Sequence, residues 1–375
     1  MSITEDGRAP EPYGSGWQPD MPVIPWDGLT QYEKWQAEQG LPLHKGFLIE
    51  NIEDLETRHW PALAADAAFV ELVGAAETNG AYVLRLAAEI PTNWEQQIFE
   101  QVYYVLSGEG VTEADGPNKA EVRWGPGSLF SIPLNSRTRH RASQDAVMYV
   151  VTTAPLVMNL FHDLGFVFAN QAEFKSRAVP DEMFQGKGIL WRRRGGSNLW
   201  KSQLLEDCPG IELPAAPARG ASNRTLSIQI GENTLIAHIS EFPVGTYKKC
   251  HRHGPGAHIV MLGGEGYSLL WKDNFAERTR VDWKPNSLFV PPPYWWHQHF
   301  NTGQTPARYL AVRWGSAQHP LDHSYDKIAV NKAEDGDQIE YEDQDPVIHQ
   351  LFAAECAKRG ITVDTDTLRA AGGKI

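Results

Sequence analysis

From Asn79 onward the chain is a succession of short apolar or alternating runs: A-Y-V-L-R-L, Q-V-Y-Y-V-L, E-V-R-W, S-L-F-S-I-P and V-M-Y-V-V-T, punctuated by Gly and Pro. Such closely spaced short runs predict strands, and together an all-β sandwich or barrel. A second β-rich block covers about 222–316. Helical spacing is confined to the flanks. L-T-Q-Y-E-K-W-Q-A-E-Q runs from Leu29 to Gln39 and ends at Gly40, and further helices are predicted over 60–74, within 155–205, near 346–358 and over 365–372. Residues 1–26, rich in Pro and Gly with little periodicity, predict an extended arm.

The two β-rich blocks repeat each other. N-G-A-Y-V-L-R-L from Asn79 aligns with N-T-L-I-A-H-I-S from Asn233 at an offset of 154, S-G-E-G from Ser107 with G-G-E-G from Gly263 at 156, and P-G-S-L-F-S-I-P from Pro126 with P-N-S-L-F-V-P-P from Pro285 at 159. A slowly drifting offset is what small loop insertions between equivalent strands produce, so a duplicated barrel is expected. The expected order is an arm with helices (1–78), an N-terminal barrel (79–154), a connector (155–221), a C-terminal barrel (222–318) and a tail with helices (319–375).

Candidate chemistry lies in the second copy. His251 and His253, inside G-T-Y-K-K-C-H-R-H-G-P-G-A-H-I-V-M-L-G-G-E-G, are two apart and share one face of an extended strand. Two neutral imidazoles on one face begin a transition-metal site, with a third from His297 or His299 in Y-W-W-H-Q-H-F-N. Offsets of 156 and 159 put Glu95, Gln97, Thr138 and His140 at the equivalent positions of the first copy. A structural niche would be filled alike in both copies, so the asymmetry points to a specialised C-terminal site. Glu95, Gln97, Gln101 and His140 make a poor metal set because amides bind transition metals weakly, and the first barrel is expected to serve as scaffold and dimer surface.

Other residues are weighed on parity. Arg308 and Arg313, in R-Y-L-A-V-R-W, offer a two-point match to a substrate carboxylate, and their opposite parity favours Arg313 as the inward one. Tyr247 and Trp296, with Tyr294 and Trp295, suit an aromatic substrate. Cys250 reads as a packed thiol, and His258 as a packing or inter-subunit histidine if Ala257 faces inward. His238 can face either way. Gly264 and Gly266 are turn glycines, with no helix pattern behind them to make a phosphate loop.

Composition narrows the partners. A chain of 375 residues that is 42% hydrophobic predicts two domains. A net charge of -13 without a Lys/Arg-rich run argues against nucleic acid and anionic membrane, leaving a small molecule. Three scattered cysteines, Cys208, Cys250 and Cys356, support neither a disulfide framework nor a C-x-x-C zinc site, and a cytoplasmic location is expected. No basic-then-apolar leader and no apolar run of about 18 residues is present. A homo-oligomer, dimer or tetramer, is expected.

Gly245, five residues, His251, Arg252 and His253 resemble the first motif of the cupin superfamily, G-x5-H-x-H-x3,4-E-x6-G. P-N-S-L-F-V-P-P-P-Y-W-W-H resembles the second, a Pro-Gly turn followed by a His. The motif Glu is missing, with Ala257 at its position in the short spacing and His258 in the long one. H-R-H followed by Ala, with the segment F-V-P-P-P-Y-W-W-H-Q-H, is similar to bicupins of the gentisate 1,2-dioxygenase type, in which three histidines alone hold iron(II). That branch keeps its working site in the N-terminal cupin, where this chain reads E-Q-Q.

The resemblance implies a bicupin: all-β, two double-stranded β-helix barrels with peripheral helices. Alignment with the second motif selects His297 as third ligand beside His251 and His253. His299 then lies next to the metal as an acid/base or a donor to bound oxygen. The activity implied is an Fe(II)-dependent dioxygenase that opens a hydroxylated aromatic acid with dioxygen, as in aromatic-compound degradation, with Mn, Ni, Cu or Zn as other metals. The alternatives are a non-oxidative metal-dependent isomerase, lyase or decarboxylase, and a non-enzymatic small-molecule-binding bicupin.

Overall fold

The computed structural model describes residues 27–75, 78–192, 198–254, 256–316, 318–321 and 327–373, so the expected arm over 1–26 lies outside the described residues. A short N-terminal unit ends at Thr30; within it, the Leu29 amide donates to Asp27 Oδ1 at 3.0 Å. Gln31–Ile375 form the second unit, which holds everything that follows.

Two barrels are present. The first has an eight-stranded sheet centred on Ala65–Leu72, Gly80–Leu86, Ala146–Thr152 and Gln101–Ser107, opposed by a three-stranded sheet of Arg137–Ala142, Gly110–Asp115 and Ala120–Trp124. The second has an eight-stranded sheet centred on Arg224–Ile230, Ile236–Phe242, Ala307–Arg313 and His258–Gly263. Opposite it lies a five-stranded sheet in the order Thr279–Trp283, Gly266–Trp271, Trp296–Asn301, Cys250–His251 and Gln338–Ile339.

The two large sheets pack face to face through one shared core. Val83, Val102, Tyr104 and Tyr149 from the first barrel meet Ile228, Ala237, Ile239, Val260, Leu310 and Val312 from the second. The two barrels thus share one contiguous apolar core. The chain also exchanges edge strands: Leu48–Ile49 pairs with Leu288–Phe289 of the second barrel, and Leu204–Leu205 with Leu129–Ser131 of the first.

The helix expected over 60–74 is not there; Arg58–Trp60 and Ala65–Leu72 are strands. Ala65, Ala67 and Phe69 enter the lumen core of the first barrel, while Val70 and Leu72 enter the shared core. A strand buried on both faces shows no polar alternation, and its alanines then read as helix. The other expected helices appear as Gln31–Glu38, Ala154–Phe161 with Leu164–Phe168, Pro346–Lys358 and Thr365–Ala370. In Pro346–Lys358, Asp345 caps the Val347 amide at 2.9 Å and Pro346 opens the first turn. Ile348, Phe352 and Cys356, four residues apart, pack on the outer face of the five-stranded sheet against Tyr247 and Phe300. No described helix is long and apolar enough to cross a membrane.

Candidate metal centre

Strand alternation decides which side chains enter the second lumen. Along Trp296–Asn301, Trp296 and Phe300 join the outer core under the C-terminal helices, so His297 and His299 point inward. Along Ala307–Arg313, Leu310 and Val312 face the first barrel and Ala307, Tyr309 and Ala311 face inward. His251 pairs directly with His297 across antiparallel strands, bringing their rings to 4.2 Å. His253 follows where the chain leaves the strand, and its ring lies 4.7 Å from that of His297.

The loop that carries His253 is pinned from two sides. The Tyr294 amide donates to the His253 carbonyl at 2.8 Å, tying the two histidine segments together. Asn79, from the first barrel, donates through Nδ2 to the Gly256 carbonyl at 2.8 Å. Gly256 has φ +79, and a Cβ there would lie 2.9 Å from Thr78 Oγ1 and Asn79 Nδ2, so the turn demands glycine.

One ring nitrogen from each of His251, His253 and His297 lies within 4.8 Å of the others, and all three residues are buried. Their Nδ1 atoms are committed to backbone carbonyls: Lys249 at 3.3 Å, Gly254 at 2.8 Å and Trp295 at 3.0 Å respectively. A carbonyl accepts only, so each Nδ1 carries the proton and each Nε2 offers a lone pair. His297 Nε2 is buried without a hydrogen-bond partner among the described residues, as is that of His299, but only the His251, His253 and His297 rings converge closely enough to share a divalent ion. Burial holds His251 and His297 well below the ordinary imidazole range, with Arg219 the next cause for His251 and His253 for His297. Burial likewise takes His253 to about 4, against the Gly254 hydrogen bond that opposes it. Neutral imidazole is the form that binds metal, and the donor set fits a transition-metal dication.

Basic side chains surround these rings. Lys248 is fully buried, its Nζ donating to Ser240 Oγ at 2.6 Å and Tyr309 Oη at 2.7 Å, and burial pushes its ammonium well below the usual lysine range, with Arg219 as the second cause. Arg219 reaches in from the turn Pro217–Arg219 and donates to Gln338 Oε1 at 2.9 Å. Arg313 and Arg219 both push His253 down. Neither Lys248 nor Arg219 lies in a periodic element, so neither stands out in the sequence. Lys248 and Lys249 send one side chain to each side of the sheet, Lys249 turning outward to Glu340 at 2.5 Å.

Several expected substrate groups are elsewhere. Tyr247 packs outside the sheet with Phe300 and Phe352, and its hydroxyl accepts from Gln344 Nε2 at 2.8 Å. Trp296 lies on that outer face too, with the Arg252 guanidinium 4.6 Å from its ring. Alternation is the reason: the parity that turns His297 inward turns Trp296 outward. Arg308 faces away from the lumen, donating to the Ile211 carbonyl and pairing with Glu241 at 3.4 Å. His258 also faces the first barrel, with Nδ1 2.7 Å from the Tyr149 hydroxyl. Cys250 packs in the outer core. His238 faces the lumen, its ring 5.8 Å from that of Tyr309.

His299 lies inside the lumen but outside the three-histidine group. Its Nδ1 is 2.7 Å from Ser268 Oγ, which also accepts from Trp283 Nε1 at 3.0 Å. The first barrel contains the same cluster. His140 Nδ1 is 2.7 Å from Thr112 Oγ1, which accepts from Trp124 Nε1 at 2.9 Å.

A scan against protein families finds no match for this chain. A search of the curated proteins finds none either. Among solved structures, a cupin 2 conserved barrel domain protein from Leptotrichia buccalis is 11% identical with a TM-score of 0.45, covering 71% of this chain and 95% of that one. Lactobacillus farciminis oxalate decarboxylase in a formate complex is 13% identical with a TM-score of 0.48, covering 73% and 86%. Bacillus subtilis oxalate decarboxylase, described for its Mn(II) centres, is 12% identical with a TM-score of 0.47, covering 72% and 77%. This chain has a bicupin fold. That statement rests on its duplicated two-sheet barrels, and the likeness at these identities concerns the path of the chain and not its chemistry.

Proposed function

We propose that the second barrel is a divalent-metal enzyme site acting without net oxidation, as an isomerase, lyase or decarboxylase, on a small carboxylic acid that chelates through two oxygens. The observation that carries this reading is the set of three converging imidazoles whose Nδ1 atoms are all committed, set among cations. His251, His253 and His297 would hold the metal through Nε2, and a bound dication supplies Lewis acidity to the chelating oxygens.

The chain's own residues do the rest. With neutral ligands only, nothing in the ligand set offsets the charge of the ion, so an anionic substrate is favoured over a neutral one. Arg313 and Lys248 orient the carboxylate, and the fixed guanidinium of Arg219 strengthens the positive field. Lys248, desolvated beside Ser240 and Tyr309, is suited to take up a proton when an anion arrives and to return it at the substrate. Such a site needs no aromatic platform, which accords with Tyr247 and Trp296 lying outside the sheet.

An iron(II) ring-cleaving dioxygenase is the second reading. It is favoured by the missing motif carboxylate: buried Ala257 stands in its place, so His251, His253 and His297 would be the protein's ligands and a bound ion would have room for a chelating substrate and dioxygen. Reconstitution with Mn(II), Zn(II) or Fe(II), followed by screens of small dicarboxylic, hydroxy and hydroxybenzoic acids with and without dioxygen, separates the two. Anaerobic turnover with Mn(II) or Zn(II) supports the first reading; oxygen uptake dependent on Fe(II) supports the second. Metal-independent ligand binding without turnover would leave a non-enzymatic binding protein.

A further inference from the structure

The barrel without the three-histidine group is not filled in. A cavity of about 350 Å³ opens into it, within the range that holds small organic ligands. Its walls are aromatic: the Trp35 ring lies 5.8 Å from Phe168 and 6.2 Å from Trp60, and Phe99 lies 5.8 Å from Phe168. Trp94 completes the lining near Glu95.

The polar groups at the inner end are largely tied to one another. Gln97 donates to Gln101 Oε1, Gln101 Nε2 donates to the Tyr82 hydroxyl at 2.8 Å, and Tyr103 donates to Gln101 Oε1 at 2.8 Å. Glu95 is the exception. Its side chain is 15% exposed, and its partners are the Tyr103 hydroxyl at 3.3 Å and His140 Nε2 at 3.8 Å. It is the one carboxylate among the described lining residues, and no Lys, Arg or His is among them. Arg137 and Arg139 stack on Trp94 at 4.9 and 4.7 Å without lining the cavity, and Arg139 is paired with Glu113 at 2.8 Å.

We infer that this cavity is a second ligand site, specific for a protonated organic amine with an apolar body. A carboxylate that is mostly withdrawn from water and lacks a strong cationic partner is costly, and an ammonium group offsets that cost through charge-assisted hydrogen bonding. The faces of tryptophan and phenylalanine carry negative quadrupole charge, which favours a cation and the hydrocarbon attached to it. An anion would meet Glu95 with no cation among the described lining residues to answer it, and a neutral ligand would leave the carboxylate desolvated. The loss of imidazoles from this copy thus exchanges metal binding for cation binding.

Calorimetric titration of the full-length, metal-free protein at pH 7 with phenethylamine, and with its neutral and anionic counterparts phenylethanol and phenylpropionate, tests this without any substitution. The amine is expected to bind at one site and the other two at least about tenfold more weakly, the worth of one charge-assisted hydrogen bond. Glu95→Gln is expected to erase that preference. His253→Ala is expected to leave amine binding unchanged, which separates this cavity from the second barrel. Equal binding of the three probes, preference for the acid, no binding of any, or loss of amine binding in His253→Ala would overturn the inference.

Discussion

Ser268 and His299 meet across adjacent strands with 2.7 Å between hydroxyl and Nδ1, and Thr112 and His140 repeat that contact at the same distance in the first barrel. A barrel with no three-histidine group keeps the whole His–hydroxyl–Trp cluster, so the cluster belongs to barrel architecture. Ser268→Ala leaves His299 Nδ1 and Trp283 Nε1 buried without that partner and is expected to cost about 1–3 kcal/mol. Metal content should not change. Urea unfolding alongside metal analysis reads both, and a loss of metal without a loss of stability would count against the assignment.

The Tyr149–His258 hydrogen bond joins the barrels, and the burial of His258 makes stability depend on pH. Burial lowers His258 to about 3 from the ordinary value of 6.5, so the folded chain refuses a proton that the unfolded chain accepts. Stability from this group is therefore complete above pH 6.5 and declines as pH falls toward 3, by about 1.4 kcal/mol per pH unit. His258→Gln is expected to remove about one proton from the pH dependence of urea unfolding between pH 6 and 4. An unchanged slope would show that His258 is already protonated in the folded state.

Lys248 lies between Ser240 and Tyr309 with no carboxylate bonded to it among the described residues. Lys248→Met keeps the length and removes the donor. The expected result is an acid substrate bound about tenfold more weakly, the worth of one charged hydrogen bond, with metal content retained. Saturation kinetics on whichever acid the screens identify checks this, and an unaltered KM together with an unaltered kcat would remove Lys248 from the site.

Arg219 is expected to act on the substrate through the field it casts over the histidines. Arg219→Gln should move the pH at which metal binding is lost on acidification upward, because a nearby imidazole is then easier to protonate. Metal affinity measured from pH 5 to 8 tests the direction, and a downward shift would contradict it.

Much of this was legible in the sequence, and what was not has identifiable causes. His251 and His253 stand out because a spacing of two fixes their common face, and the repeat offsets bring out both the duplication and the near-absence of imidazoles in the first copy. The same alternation, carried from His297 to its neighbour, turns Trp296 outward, whereas aromatic content near the motif suggests a substrate platform. Lys248 could not be found by alternation, because counting back from the inward His251 turns Lys249 inward and Lys248 outward, the reverse of what the fold does. Nor could Arg219, since it enters from a turn about thirty residues before the motif, outside any periodic element. Ala65–Leu72 is buried on both faces, so its strand pattern is invisible to alternation. The repeated His–hydroxyl–Trp cluster was hidden because Thr112 and Ser268 differ in name while their hydroxyls do the same work.

The central claim is that His251, His253 and His297 hold one divalent ion and that His299 does not. Metal content of the purified full-length protein after loading with Mn(II), Fe(II) or Zn(II), compared with His253→Ala, His297→Ala and His299→Ala variants shown to be folded by circular dichroism, tests it most directly. One equivalent in the parent chain and in His299→Ala, with almost none in the other two, is the result predicted. Loss of the metal in His299→Ala, or a full equivalent retained in His253→Ala or His297→Ala, would contradict it.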